Sequence, residues 1–306
     1  MLPTRIFMTV VVVGGGISGC VAATLLLRRG VSVRVLNSGR RAPGGRLAGG
    51  RHPDSGAEFL RLSDAPSQPL LAIVRSLEQA GLLAPWTGRF GMLGSSGFVP
   101  AGQTSNADDF CGLVSGAAAR APIYVGTPSN RDICAGLCAA EGIEVQLGKN
   151  VRSATYDSSA GWSLALDDGD YHCRGGGAPQ VEARCDALIL ATHDASLASS
   201  AVRSASTGGG APATDAIALA TLADALAAQR AGRTAPLFTW SGYYAPGALS
   251  SSVPIDAAVV TGSPIVRFLC RDASKPGRPA VRDGLELWTA VSTIEFARAT
   301  LASAPG

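Results

Sequence analysis

The chain has 306 residues, enough for one large domain or two intimate ones, and 46% of them are hydrophobic, which suffices for a sizeable core. Twenty-six basic against 23 acidic residues leave a formal charge of +3 with no block of like charges, so nucleic acid is not an expected partner. The longest apolar runs, Val10 to Val13 and Ala187 to Ala191, are strand-length and far below the ~20 residues that a membrane span needs.

The all-β-branched run Val10 to Val13 leads into Gly14-Gly15-Gly16-Ile17-Ser18-Gly19 and then into an apolar stretch. This predicts a strand over 9–13, a tight turn, a helix over 17–29 stopped by Gly30, and a second strand over 31–36 carried by Val31, Val33 and Val35. Three glycines between a strand and a helix form a dinucleotide-binding turn. Gly14 permits the bend, Gly16 lets the main chain approach a pyrophosphate, and Gly19 lets helix and strand pack closely. The N–H groups of the first helical turn, including those of Ile17 and Ser18, have no intrahelical partners and lie at the positive end of the helix dipole. In such units an acid at the end of the second strand holds the adenosine ribose; here Asn37 stands there, a weaker anchor. Arg40 and Arg41 follow, and an arginine beside a missing acid also suits a 2′-phosphate, hence NADP.

Further along, Leu70, Leu71, Ile73, Val74, Leu77 and Ala80 predict an amphipathic helix ending at Gly81. Short strands are expected over 85–90 and 97–99. The strand 123–126 precedes a helix that starts near Ser129, with Asp132 three residues on as a capping partner, and runs to Gly142. A strand over 143–147, a hairpin of 151–156 with 162–166, a long tip over 168–182 and a buried strand over 187–191 follow. Residues 200–215, rich in serine and glycine, read as a mobile surface loop. A helix over 215–231 then leads into short strands around 238–240, 259–260, 265–269 and 285–290, and a last helix from Thr293 to Ala302. Lys275, in a Lys-Pro-Gly turn, reads as exposed, and Trp240, Tyr243 and Tyr244 read as ordinary core. The seven cysteines are scattered and include no Cys-x-x-Cys pair, so buried thiols in a reducing compartment are expected, with no metal site.

This succession resembles the renalase-like branch of the FAD-dependent amine-oxidase superfamily over nearly the whole chain. The resemblance is carried by Val10 to Gly19, Arg40 to Leu47, Gly56-Ala57-Glu58-Phe59, Tyr124 to Pro128, Ala191-Thr192-His193 and Arg271 to Arg278. The last block is the most specific, looking like the Arg-Asp-Ser-Ser-Lys-Pro-Gly-Arg stretch of bacterial and plant members. The resemblance implies a mixed α/β fold: a Rossmann-like FAD-binding domain from 1–62 and 123–200, interleaved with a smaller antiparallel-sheet substrate domain from 63–122 and 201–306 roofing the flavin. Gly14, Gly16, Ile17, Ser18, Gly19, Asn37, Arg40, Gly45, Arg46, Leu47, Gly56 and Ala57 would then lie along the cofactor. Arg46 would contact the diphosphate. A Gly-Gly-Arg segment at 44–46 argues for FAD over NADP.

The implied activity is hydride transfer from a small molecule, a reduced nicotinamide isomer or an amine, to the flavin, with dioxygen as acceptor. No catalytic residue stands out, and the oligomeric state is not readable. Two departures bear on this: Asn37 replaces the family's usual glutamate, and the chain ends at Ala304-Pro305-Gly306 without the Gly-Asp segment that closes family members. A truncated, inactive or weakly FAD-binding paralogue and an NADP-dependent reductase are the alternatives. With the first strand nine residues in, no cleaved targeting segment is expected, which suits a cytoplasmic protein.

Overall fold

The computed structural model describes residues 8–48, 54–63, 65–103, 109–114, 122–167, 180–208, 213–229, 235–249, 251, 254–279 and 281–303. The chain begins β1 (Thr9–Val13), α1 (Ile17–Leu27), β2 (Ser32–Asn37), β3 (Leu60–Arg61), α2 (Gln68–Gln79), β4 (Leu83–Pro85), β5 (Phe90–Gly94) and β6 (Gly97–Pro100). It continues with β7 (Ile123–Gly126), α3 (Asn130–Glu141), β8 (Glu144–Leu147), β9 (Asn150–Asp157), β10 (Gly161–Asp167), β11 (Gln180–Cys185), β12 (Ala187–Leu190), α4 (Ala195–Thr207) and α5 (Ala213–Gln229). The last elements are β13 (Thr239–Tyr244), β14 (Ala257–Val260), β15 (Val266–Arg271), β16 (Glu286–Ser292) and α6 (Ile294–Ser303). The fold is mixed α/β, with a Rossmann-like parallel sheet and separate antiparallel sheets.

Two compact units emerge, one made of Met1–Gly45 with Cys134–Thr234 and the other of Arg46–Ile133 with Ala235–Gly306. The sequence reading divides the chain at 62/63, 122/123 and 200/201 instead. The boundaries differ because β7 pairs with β4, and because α4 packs on β9 through a 2.8 Å hydrogen bond from Tyr156 N–H to Ser204 Oγ.

In the first unit a parallel sheet has the order β12-β1-β2-β8. Its inner strand β1 is covered on both faces, which is why it reads as an unbroken valine run, with Val11 and Val12 fully buried. The antiparallel meander β11-β10-β9 lies on one face. Leu164, Leu166, Val151 and Ala154 from the meander join Val11, Val13 and Leu36 from the sheet and Leu197 and Ala201 from α4 in a single core. Burial of a side chain such as Leu164 contributes about 1.5–3 kcal/mol. Helix α1 is stopped by Gly30 at φ +77°, the left-handed conformation that glycine adopts without strain.

The expected loop over 200–215 is corrected: α4 continues through Thr207, and α5 begins at Ala213. Residues 209–212 of that call lie outside the described residues. Composition misled here because the serines satisfy local carbonyls. Asp194 caps α4 by accepting from Ser196 and Leu197 N–H, Ser206 Oγ donates to Arg203 C=O, and Ser199 Oγ donates across to Ala223 C=O at 2.8 Å. Apolar Leu197 and Ala201 supply the buried face.

In the second unit six strands run β13-β16-β15-β14-β5-β6, antiparallel except for the β14–β5 pair, beside a small sheet β3-β7-β4. Its core holds Phe59, Trp86, Val125, Val259, Phe268 and Val291, with Phe110 stacked on Phe268 at 4.8 Å. Helix α2 buries Ile73, Val74 and Leu77 as its periodicity requires. Trp240 and Tyr243 are corrected from core to surface, at 52% and 60% exposed. They lie on β13, the end strand of its sheet, where aromatic residues gain cross-strand contacts without full burial. Tyr244 is half-buried.

Candidate functional site

In the glycine turn Gly14 and Gly19 are closed against their neighbours and Gly16 is open. Gly14 sits at φ +109°, and a Cβ there would stand 2.4 Å from the Ala191 carbonyl oxygen. A Cβ on Gly19 would stand 1.9 Å from the Gly14 carbonyl oxygen, so helix and strand meet at a distance that excludes any side chain. Gly16 is the opposite case, with nothing within 4 Å of the place its Cβ would take. This open position is the N-cap of α1, where Cys20 N–H bonds back to Gly16 C=O, and Ser18 beside it is exposed. The turn lies at the carboxyl ends of β1 and β12, where the sheet order reverses direction: β2 extends from one side of β1 and β12 from the other. Open α/β sheets bind their ligands at such switch points.

Asn37 closes the second strand, buried, and its amide braces the surrounding loops. Its Oδ1 accepts from Gly15 N–H at 3.3 Å, while Nδ2 donates to Gly39 C=O at 3.0 Å and Ala42 C=O at 3.4 Å. The loop so held includes Arg40, which is exposed. Its end returns to the glycine turn. Gly44 N–H donates to Gly15 C=O at 2.7 Å, Gly16 and Gly44 form a parallel bridge, and a Cβ on Gly45 would stand 3.3 Å from Gly16 Cα. His193, after β12, is exposed.

In the second unit Arg46 is exposed and Leu47 buried, both in a 3₁₀ turn. The Arg46 carbonyl accepts from Ala57 N–H at 3.0 Å, and a Cβ on Gly56 would stand 1.7 Å from that same oxygen. The glycine pair Gly49-Gly50 lies outside the described residues.

Next in chain order comes a group that the sequence reading misplaced. Lys275, expected at the surface, is 2% exposed. Its Nζ lies 2.8 Å from Glu58, 3.3 Å from Asp54 and 3.4 Å from Asp272, with the Trp86 ring centroid 5.6 Å away. Arg278 pairs with Asp54 and lies 3.5 Å from Asp272. Two cations thus face three carboxylates in the interior. A Lys-Pro-Gly turn carries no record of acids more than two hundred positions away; the available signals were Asp272, three residues before Lys275, and the pair Asp54 and Glu58, four apart.

Burial pushes the Glu58 carboxyl above the ordinary range, against the attraction of Lys275, and its Oε1 is buried without a hydrogen-bond partner. A proton on Glu58 would bring the five charges to neutrality. For Lys275 burial disfavours the ammonium, but Cys270, Glu58, Asp54 and Asp272 more than offset this and raise its pKa. Among the described residues, no group of histidine, cysteine and acidic side chains could hold a metal ion, and no helix is long and apolar enough to cross a membrane.

Residues 12–68 match the family model described as an NAD(P)-binding Rossmann-like domain. The fold is similar to that of an oxidoreductase from Methanosarcina mazei, at 14% identity over 97% of this chain and 82% of that one, with a TM-score of 0.59. A putrescine oxidase redesigned in its cofactor binding is similar at 14% identity over 97% and 78% of the two chains, with a TM-score of 0.62. A protein from Pyrococcus furiosus aligns at 12% identity over 96% and 82%, with a TM-score of 0.56. No curated protein sequence matches this one. At these identities the likeness is one of fold.

Proposed function

We propose that this chain is an FAD-dependent oxidoreductase, of the renalase-like kind, that takes a hydride from a small molecule and passes the electrons to dioxygen. The observation that carries the reading is the contrast between Gly16, open at the N-terminus of α1, and Gly14 and Gly19, closed against their neighbours. That is the contour a pyrophosphate fills, with helical N–H groups as donors and no side chain in the way. FAD is favoured over NADP by the Gly-Gly-Arg segment at 44–46, whose Gly44 pairs with Gly15 and Gly16. The resemblance gives Arg46 the diphosphate. Asn37 Oδ1 has a second lone pair for a ribose hydroxyl beside its bond to Gly15 N–H, so the ribose anchor is compatible with the brace.

The flavin supplies the hydride acceptor. What the chain supplies is orientation: the glycine turn fixes the anion, and the segment 54–58 fixes the Arg46 turn from behind. A reduced nicotinamide isomer is the preferred substrate class, since losing hydride leaves an aromatic cation and needs no protein base.

The purified protein, titrated with FAD and with NADP, should bind FAD. Tight NADP binding without response to FAD would reverse the assignment. Once loaded with FAD, it should lose its flavin absorbance anaerobically faster with a reduced nicotinamide isomer than with a simple alkylamine, and regain it in air with release of peroxide. Bleaching by amines alone would place it on the amine-oxidase side, and bleaching by neither would favour an inactive paralogue.

A further inference from the structure

The buried ionic group and the Arg46 turn are connected by one short path of contacts. Asp54 Oδ1 accepts from the Asn130 backbone N–H at 3.0 Å, and its Oδ2 faces both Lys275 and Arg278. Asn130 Nδ2 donates to the Ala57 carbonyl at 2.7 Å. Lys275 holds Glu58 on the other side of that carbonyl, at 2.8 Å. Residues 54–58 are therefore fastened at Asp54, at Ala57 and at Glu58. Between these points lie the two groups that seat Arg46: Gly56, with no room for a methyl, and the Ala57 N–H on the Arg46 carbonyl.

Apolar residues of equal volume would serve stability at least as well as five buried charges, because desolvation consumes most of the Coulombic gain. What ion pairs and charge-assisted bonds add is direction, since they fix the strap in one place and not merely in contact. We propose that Lys275 and Arg278 are positioning residues for cofactor binding: through Asp54 and Glu58 they hold the 54–58 strap so that the Arg46 guanidinium meets the diphosphate of a dinucleotide. This rests on the reading of Arg46 as a diphosphate contact.

The test is a double-mutant cycle read as FAD affinity, using the full chain as wild type, Arg46→Ala, Arg278→Lys and the double variant, with ADP and adenosine as further probes. Thermal melts without ligand report folding separately. Arg46→Ala and Arg278→Lys should each weaken FAD and ADP by about tenfold. The double variant should bind no worse than Arg46→Ala alone, and adenosine binding should not change. If Arg278→Lys fails to fold, Asp54→Asn, which keeps the shape and removes one charge, replaces it in the same cycle. A multiplicative loss in the double variant, an unchanged FAD affinity in Arg278→Lys, or an equal loss for adenosine would overturn the inference and leave the functional reading standing. Wild-type protein that takes up neither FAD nor ADP would overturn the functional reading itself.

Discussion

Gly19 approaches Gly14 so closely that a Cβ on the first would lie 1.9 Å from the carbonyl oxygen of the second, while Gly16, between them in sequence, faces open space. Two substitutions of the same kind should therefore fail in different ways. Gly19→Ala forces α1 away from β1 and should cost about 1–3 kcal/mol of stability. Gly16→Ala sits at φ −78°, which alanine adopts freely, and should cost under ~1 kcal/mol as a poorer N-cap. It should nevertheless weaken FAD, because the methyl fills the approach to the helix N-terminus. Melting curves with and without FAD read both effects; equal losses of stability would show that Gly16 is packed like its neighbours.

Asn37 gives a second test, since its amide N–H groups hold the loop carbonyls of Gly39 and Ala42. Asn37→Asp keeps the acceptor for Gly15 N–H and loses both donors, setting a carboxylate against two carbonyl oxygens. We expect a loss of about 1–2 kcal/mol in the ligand-free protein. Chemical denaturation measures this directly, and an unchanged midpoint would mean that the brace contributes nothing.

The buried ion group makes a pH prediction with a definite sign. Glu58 has a pKa raised above its ordinary 4.5, so the native chain holds its proton where the unfolded chain has lost it. Its contribution to stability therefore falls as pH rises from about 4.5 through the raised value. Glu58→Gln cannot titrate and keeps the shape, so it should gain stability relative to wild type as pH is raised across that window. Melting temperatures of the two proteins at pH 4.5 and pH 7 give the comparison, and a difference, variant minus wild type, that falls with rising pH would contradict it.

Removing the cation instead leaves three carboxylates facing Arg278 alone. Lys275→Met should cost about 3–5 kcal/mol, the usual consequence of stranding a buried charge. In the wild type this stabilisation is complete below the ordinary lysine value of 10.5 and fades above it as pH passes through the raised native pKa. Denaturant titration of the variant at neutral pH checks the magnitude, and a loss below ~1 kcal/mol would show the site relaxing around methionine.

Thiol reactivity should follow burial. The Cys20 thiol is pushed up to about 12, first by its hydrogen bond with Cys134 and further by burial, and the Cys138 thiol, 3.5 Å from Cys20, is raised as well. Cys111 is exposed. Alkylation of the native protein at neutral pH should label Cys111 well before Cys20 and Cys138, as read by peptide mass spectrometry. Early labelling of Cys20 would mean that the N-terminal turn of α1 opens.

The sequence by itself determined what depends on neighbours along the chain. The valine run, the glycine spacing and the Gly30 stop specified β1, the turn and α1, because backbone freedom at glycine and the period of burial are local properties. The alternating Val33 and Val35 likewise fixed β2, and Ile73, Val74 and Leu77 the buried face of α2. The serine-rich segment from Ser200 to Thr207 was misread, since its helix depends on Asp194 as cap and on Ala223 as a partner from another helix. Asn37 was legible as the residue that ends β2 but not as a brace, because the carbonyls it holds belong to a loop of no regular pattern. Lys275 was illegible in kind. Whether an ammonium is solvated or buried is decided by where its counter-charges come to rest, and Asp54 and Glu58 reach it only through the pairing of strands and the turn at Gly126 to Asn130.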